Sequence, residues 1–351
     1  MSDTPAPRSF DEEDLAAAVA AGVIPAATAE VFVAFVDGRR VAAPRADEEE
    51  VRFVTSFNDI FVTLGIVLLA GGLAFVVGRD RPGLAAAAVA LLAWGLSELF
   101  SRRRRMAFPS IVLTGLLVSA AGVAGLFAAK VVGAKSFAEI IGATVAFAAG
   151  YVHWRRFGVP ISVAAATAGA GVTVLALLHT VAPGVFEAHR DAVLLSLGLV
   201  VFATAMRWDA SDRDRRTRRT DVAFWLHLLA APVIVHPLLA IAGIRLDAIG
   251  IGEAGYVLAL FVVIAHVAVV VDRRALVVSA LVYLGVSIGV LIERSGWTPS
   301  IGAPLTVGVV GAVILVIAVG WRPLRTAALR LTPASVRAVV PLPASPQGSR
   351  P

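Results

Sequence analysis

A bilayer core is about 30 Å thick and a helix rises about 1.5 Å per residue, so roughly 20 consecutive apolar residues span it. Ten stretches of this chain approach or reach that length: 58–77, 83–100, 108–129, 136–152, 159–178, 191–206, 222–244, 254–271, 275–292 and 301–320. The composition agrees. Of 351 residues, 58% are apolar and 16% are charged, with a mean hydropathy of +0.84. Soluble domains are about 45–50% apolar and about 25% charged. A soluble globular protein, a disordered chain and a collagen-like fibre are thereby excluded. The predicted fold is an all-α polytopic transmembrane helix bundle of about ten spans. The domain boundaries predicted are 1–52 for a leader, 53–321 for the membrane domain and 322–351 for a disordered tail.

Sorting the basic residues by position predicts the orientation. The loops after even-numbered spans hold 14 of the 31 Lys and Arg residues, against seven in the odd loops. The even clusters are Arg102–Arg105, Arg155-Arg156, 207–219 and Arg273-Arg274, and no Lys or Arg falls inside a span. Short loops rich in Lys and Arg stay in the cytoplasm. Both termini are then cytoplasmic, as an even number of spans requires. The same charges meet anionic headgroups, so the net charge of +6 reads as lipid contact rather than nucleic-acid binding. No cleavable leader is predicted, because the first apolar span begins only near residue 58. The Ala- and Arg-rich usage suggests a bacterial chain, and hence an inner membrane.

Residues 1–52 carry 11 acidic and five basic residues. Ser9-Phe10-Asp11-Glu12 has the capping-box pattern and opens a helix to about Ala21, with Gly22 as its stop. Pro25 begins a second helix, predicted to end near Asp37-Gly38. Leu15, Val19, Ile24, Val31 and Phe35 can share an apolar face, too small to be stable alone. This hairpin therefore reads as an interaction module, with residues 9–37 meeting a protein partner, a second copy or the membrane surface. Ala46–Phe53 reads as a helical lead into the first span.

The stretch from Asp14-Leu15 to Ala21-Gly22-Val23-Ile24, followed by Ala27-Thr28-Ala29-Glu30, resembles the opening of a bacterial family of membrane proteins known as domain of unknown function 2157. The likeness covers roughly 25 residues and the general layout. It implies a helical opening before a polytopic region and implies no activity.

Arg clusters and Arg pairs recur. Arg155-Arg156 and Arg273-Arg274 are each followed by a run with a Ser, Ser162 and Ser279. A duplication would make 83–178 and 191–292 two four-helix units, and transporters often contain such repeats.

Ionisable residues inside a membrane are costly and are the first places to look for function. Span 7 holds His227 and His236, with Pro232 and Pro237, in the distinctive tract Phe224-Trp225-Leu226-His227 to His236-Pro237; span 8 holds Tyr256 and His266. At about 1.5 Å per residue, His227 and His266 lie ~8 and ~9 Å from the cytoplasmic edge, and His236 and Tyr256 ~21 and ~24 Å. Two polar rungs, His227 with His266 and His236 with Tyr256, are thus predicted between spans 7 and 8. One reading makes them a polar, proton-responsive site of a secondary transporter. The preferred reading makes them packing bonds, because residues nine apart lie on opposite sides of a straight helix.

Asp59, Glu98 and Glu139 near span ends read as structural. Asp59 suits a helix start, and Glu98 with Arg102 and Lys135 with Glu139 have i, i+4 spacing. Glu187, His189 and Asp191 read as a solvated external loop rather than a metal site. Gly71-Gly72, Gly169 with Gly171, and Gly308 with Gly311 are expected at close helix contacts. The chain has no Cys, no Walker loop, no H-E-x-x-H and no G-x-S-x-G. No catalytic residue, metal ligand or cofactor is predicted, and an enzyme is the least favoured reading.

Overall fold

The structure is a computed structural model that describes residues 12–42, 57–213, 215, 217–244, 250–296, 298–337 and 340–341. Two compact units divide near residue 50. The first contains α1 (Glu12–Ala20) and α2 (Ala26–Ala42). Gly22 ends α1 with φ +71°. Its N–H meets the Val19 carbonyl, and the Val23 N–H meets that of Ala18. That pair of bonds is the Schellman pattern, which needs a left-handed residue and therefore favours glycine. The Pro25 carbonyl accepts the first bonds of α2. Contrary to expectation, α2 runs through Asp37-Gly38 to Ala42, since one interior glycine costs a helix only about 1 kcal/mol. Ser9 and the lead Ala46–Phe53 lie outside the described residues.

The second unit holds α3 (Phe57–Gly78), α4 (Pro82–Ser97, continued by a π-helical turn over Glu98–Arg103), α5 (Ala107–Val131), α6 (Ala138–Phe157), α7 (Ile161–Val181), α8 (Pro183–Ala210), α9 (Arg219–Ile241), α10 (Ile251–Val271), α11 (Ala275–Arg294), α12 (Pro299–Leu331) and α13 (Ala334–Arg337). Ten of these helices are long and apolar enough to cross a membrane. The chain is thus a multi-pass membrane protein, and its described residues form no strand. Closed helical bonding is what lipid demands, since no water is present to satisfy a backbone N–H.

Each predicted span overlaps a helix, but three helices exceed their apolar runs. α6 continues to Phe157. α8 begins at Pro183 and kinks at His189, so the presumed loop around Glu187 and His189 is helical. α12 continues to Leu331, and Val340 is buried beyond it. Residues 322–331 and 334–337 are therefore helical where a disordered tail was expected, and 342–351 lie outside the described residues.

Most neighbours in sequence pack as neighbours in space, α9 and α10 excepted, and α7 joins the halves by packing on α8 and α9. Close approach rests on particular glycines. A Cβ on Gly169 would lie 2.6 Å from the Phe147 backbone N, and one on Gly198 would lie 2.8 Å from the Val233 carbonyl O. Gly71, Gly72, Gly171, Gly308 and Gly311 have open space at that position. Of the glycines expected at close contacts, Gly169 alone is in one.

Candidate functional site

The most buried ionic groups gather where the even-numbered loops meet. Asp209 ends α8, His227 lies two turns into α9, and Arg273 follows α10. Their exposures are 1%, 0% and 1%. Arg273 grips Asp209 with its guanidinium fork: Nε donates to Oδ2 at 3.1 Å and Nη2 donates to Oδ1. His227 Nε2 is 2.9 Å from the same Oδ2. A carboxylate oxygen only accepts, so Nε2 carries the imidazole proton. His227 Nδ1 is buried and bonds no partner among the described residues. Phe202 packs against the imidazole in a T-shaped contact, the ring centroids 5.3 Å apart.

A second ionic group adjoins the first. Asp272 caps α10 in the left-handed region at φ +59°. Its Oδ2 takes Arg215 Nη1 at 2.9 Å and Arg325 Nη1 at 3.2 Å, and its Oδ1 takes the Trp321 indole N–H at 2.6 Å. Arg215, also left-handed at φ +53°, donates from Nη2 to the Asp272 carbonyl at 2.9 Å. Left-handed backbone costs a non-glycine residue about 1–2 kcal/mol, which these charge-assisted bonds offset. The turn also separates the two ionic groups: Asp272 faces α12 while Arg273, its chain neighbour, faces α8.

This clustering corrects one expectation. Arg102–Arg105 are exposed, but Arg215, Arg273 and Arg325 are buried in protein rather than laid on headgroups. It also ties the even loops together. Arg156 Nε meets Glu98 Oε1 at 2.8 Å across loops 2 and 4, where Glu98 also holds its expected partner Arg102 at 3.2 Å. Arg218 reaches the Gly158 carbonyl across loops 4 and 6. Arg215 joins loops 6 and 8. Arg213 donates to the carbonyls of Val340 and Arg337, so the C-terminal segment shares this end of the bundle.

The two rungs predicted between spans 7 and 8 do not form. His227 turns to α8. His236 Nδ1 bonds the Tyr283 hydroxyl of α11 at 2.8 Å. Tyr256 and His266 lie on the exposed face of α10. The reason is helix order: α9 packs chiefly on α8 and α11, while α10 packs on α11 and α12. Span neighbours in sequence are here not close neighbours in the bundle. Glu187 pairs loosely with His179 at 4.0 Å on the surface. Among the described residues, no three His, Asp or Glu side chains are placed to hold a metal ion.

A further polar centre escaped the sequence reading. His153, 0% exposed, joins four helices. Its Nδ1 is 2.7 Å from Ser162 Oγ of α7, and its Nε2 is 3.2 Å from Ser97 Oγ of α4. Thr114 of α5 lies 3.5 Å from Nδ1. Ser97 Oγ donates its own proton to the Ala93 carbonyl, so it accepts from Nε2–H, while Ser162 donates to Nδ1. The apolar run ends at residue 152, which left His153 outside the predicted span. Ser162, noted as part of a repeat, was the available signal. The side chain of Ser279, its counterpart, lies outside the described residues.

No family model, curated protein or solved structure matches this chain.

Proposed function

We propose that this chain is a non-enzymatic multi-pass protein of a bacterial inner membrane. Both termini are cytoplasmic, and α1 and α2 form a hairpin that docks a protein partner or a second copy. The observation that carries the orientation is the bonding that joins every even loop to the C-terminal segment. These are the arginine-rich segments, and an end with that charge is retained inside. The intramembrane polar groups that are most deeply buried are spent on one another: Asp209 on Arg273 and His227, His153 on the hydroxyls of Ser97 and Ser162. That suits a braced scaffold better than acid–base chemistry, which needs a group free to reach a substrate.

The docking role rests on α2. Val31 and Phe32 are 70% and 53% exposed on α2, whose other side forms a groove of about 520 Å³ with Leu15 and Val19 of α1. A duplication of 83–178 and 191–292 gains support from a shared device. In each unit a carboxylate at the end of the first helix, Glu98 or Asp209, holds an arginine that follows or ends the third, Arg156 or Arg273.

Alkaline-phosphatase fusions test the orientation. Activity is expected after Gly133 and Gly243 and not after Arg104 or at the C-terminus. An active fusion after Arg104 would overturn it. For the hairpin, full-length protein carrying Val31→Ser and Phe32→Ser should keep its thermal stability in micelles. It should also lose its self-association, or its crosslink to a partner. Unchanged association would remove the docking role.

A second reading, a secondary transporter, is favoured by one observation: His227 Nδ1 is a buried acceptor without a bond among the described residues, in a centre that also holds an ion pair. Proteoliposomes in which Asp209→Asn abolished a proton flux shown by the native protein would establish that reading in place of the scaffold.

A further inference from the structure

α5, α6 and α7 shape a groove of about 770 Å³. Each helix contributes one face, as the i, i+3, i+4 spacing of Gly115, Val118 and Ser119 on α5 illustrates. The floor is buried: Gly142 and Ala143 of α6, Gly169 and Ala176 of α7. The rim is exposed: Gly115 and Ser119 on one side, Val172 on the other. The groove exists because the floor lacks side chains. It opens along its length onto the medium around the bundle, which for membrane-spanning helices is lipid.

Its dimensions and ends identify the occupant. From Ala165 to His179 the α7 wall is ~21 Å long at about 1.5 Å per residue. One leaflet contributes about half of the ~30 Å hydrocarbon core, so a single lipid chain is accommodated in full. The volume lies within the roughly 300–1,000 Å³ of small-molecule sites. The ionisable lining residues are confined to one mouth. Glu139, in the first turn of α6, and His179, in the last turn of α7, line it, and Glu187 stands 4.0 Å from His179. Lys130 and Lys135 lie at the same end of the bundle but do not line the groove. Among its lining residues Glu139 carries the negative charge, and a carboxylate there repels an anionic head and attracts an ammonium.

We infer that this groove binds one chain of a membrane lipid whose headgroup carries an ammonium, as in phosphatidylethanolamine, with Glu139 receiving the head. The site is separate from the ionic centre at the other end of the bundle, and it does not depend on the scaffold reading.

Native mass spectrometry of the full chain tests it, with micelles doped with phosphatidylethanolamine or with phosphatidylglycerol as probes. The native chain should retain one phosphatidylethanolamine, with a preference of about tenfold over phosphatidylglycerol. A Cβ on Gly115 meets nothing within 4 Å, so Gly115→Leu fills the groove without a clash and should abolish retention. Ser119→Leu, on the same rim, does the same by a second route if Gly115→Leu folds poorly. Glu139→Gln should keep one lipid and lose the headgroup preference. Retention equal in the native and both leucine variants overturns the site. So does a preference for phosphatidylglycerol. A dimer split by Gly115→Leu, with no lipid held, would show that a second copy fills the groove and would also overturn it.

Discussion

Replacing Asp209 with Ala strips a carboxylate from the centre of the ionic end. Three bonds are lost: two from the Arg273 fork and one from His227 Nε2. Arg273 is 1% exposed, so its charge cannot turn to water, although it keeps a 3.3 Å bond to the Thr220 carbonyl. Removing one member of a buried ion pair costs about 3–5 kcal/mol, because the survivor stays charged and buried while losing that attraction. A rescue is expected. Exchanging both partners for apolar residues of similar size, Asp209→Leu with Arg273→Met, removes both buried charges, and such exchanges are neutral or stabilising by about 1–4 kcal/mol elsewhere. The assay is unfolding of the full chain in mixed micelles, followed by helical circular dichroism against added denaturing detergent. Asp209→Ala should unfold early, and the double variant should recover most of the loss. If Asp209→Ala costs under about 1 kcal/mol, or the double variant is no more stable than the single one, the ion pair is not bracing the bundle.

Other positions give sharper contrasts. Gly169→Val pushes side-chain atoms into the Phe147 backbone and should cost at least about 1–3 kcal/mol, whereas Gly311→Ala, with open space, should be neutral in the same assay. His153→Ala leaves the Ser162 hydroxyl without its acceptor and opens a cavity among four helices, so a loss of about 2–4 kcal/mol is expected. His266→Ala, on the exposed face of α10, should lie within about 0.5 kcal/mol of the native protein. Arg325→Ala removes bonds to Asp272 and to the Pro341 carbonyl and should make the C-terminal segment protease-sensitive before the bundle unfolds, as limited proteolysis would show.

What was legible in the sequence was what lipid dictates locally. An apolar run of about 20 residues has one stable solution in a bilayer, a helix, so all ten spans could be placed from composition. Gly22 and Pro25 were legible for a similar reason, since backbone geometry at a helix end depends on the residue itself. The Glu98–Arg102 pair followed from helical spacing. Helix ends were less legible where protein, not lipid, surrounds them. α6 and α12 continue past their apolar runs because His153, Trp321 and Arg325 find partners there. His227 was visible as a costly residue, but its partners lie 18 and 46 positions away, and no local pattern links them.

The sequence by itself determined which ten stretches are long and apolar enough to cross a membrane and which loops carry its positive charge, because both follow from the transfer of single residues between water and lipid. Only the tertiary structure decided which residues meet. Helix order in the bundle brings His227 to Asp209 rather than His266. It brings Gly169 to a backbone while leaving Gly311 in the open. It also buries three arginines that spacing alone would have left at the surface. Transfer energy is a property of each residue, whereas pairing is a property of the packing, and ten apolar helices can be packed in many orders at similar cost in lipid.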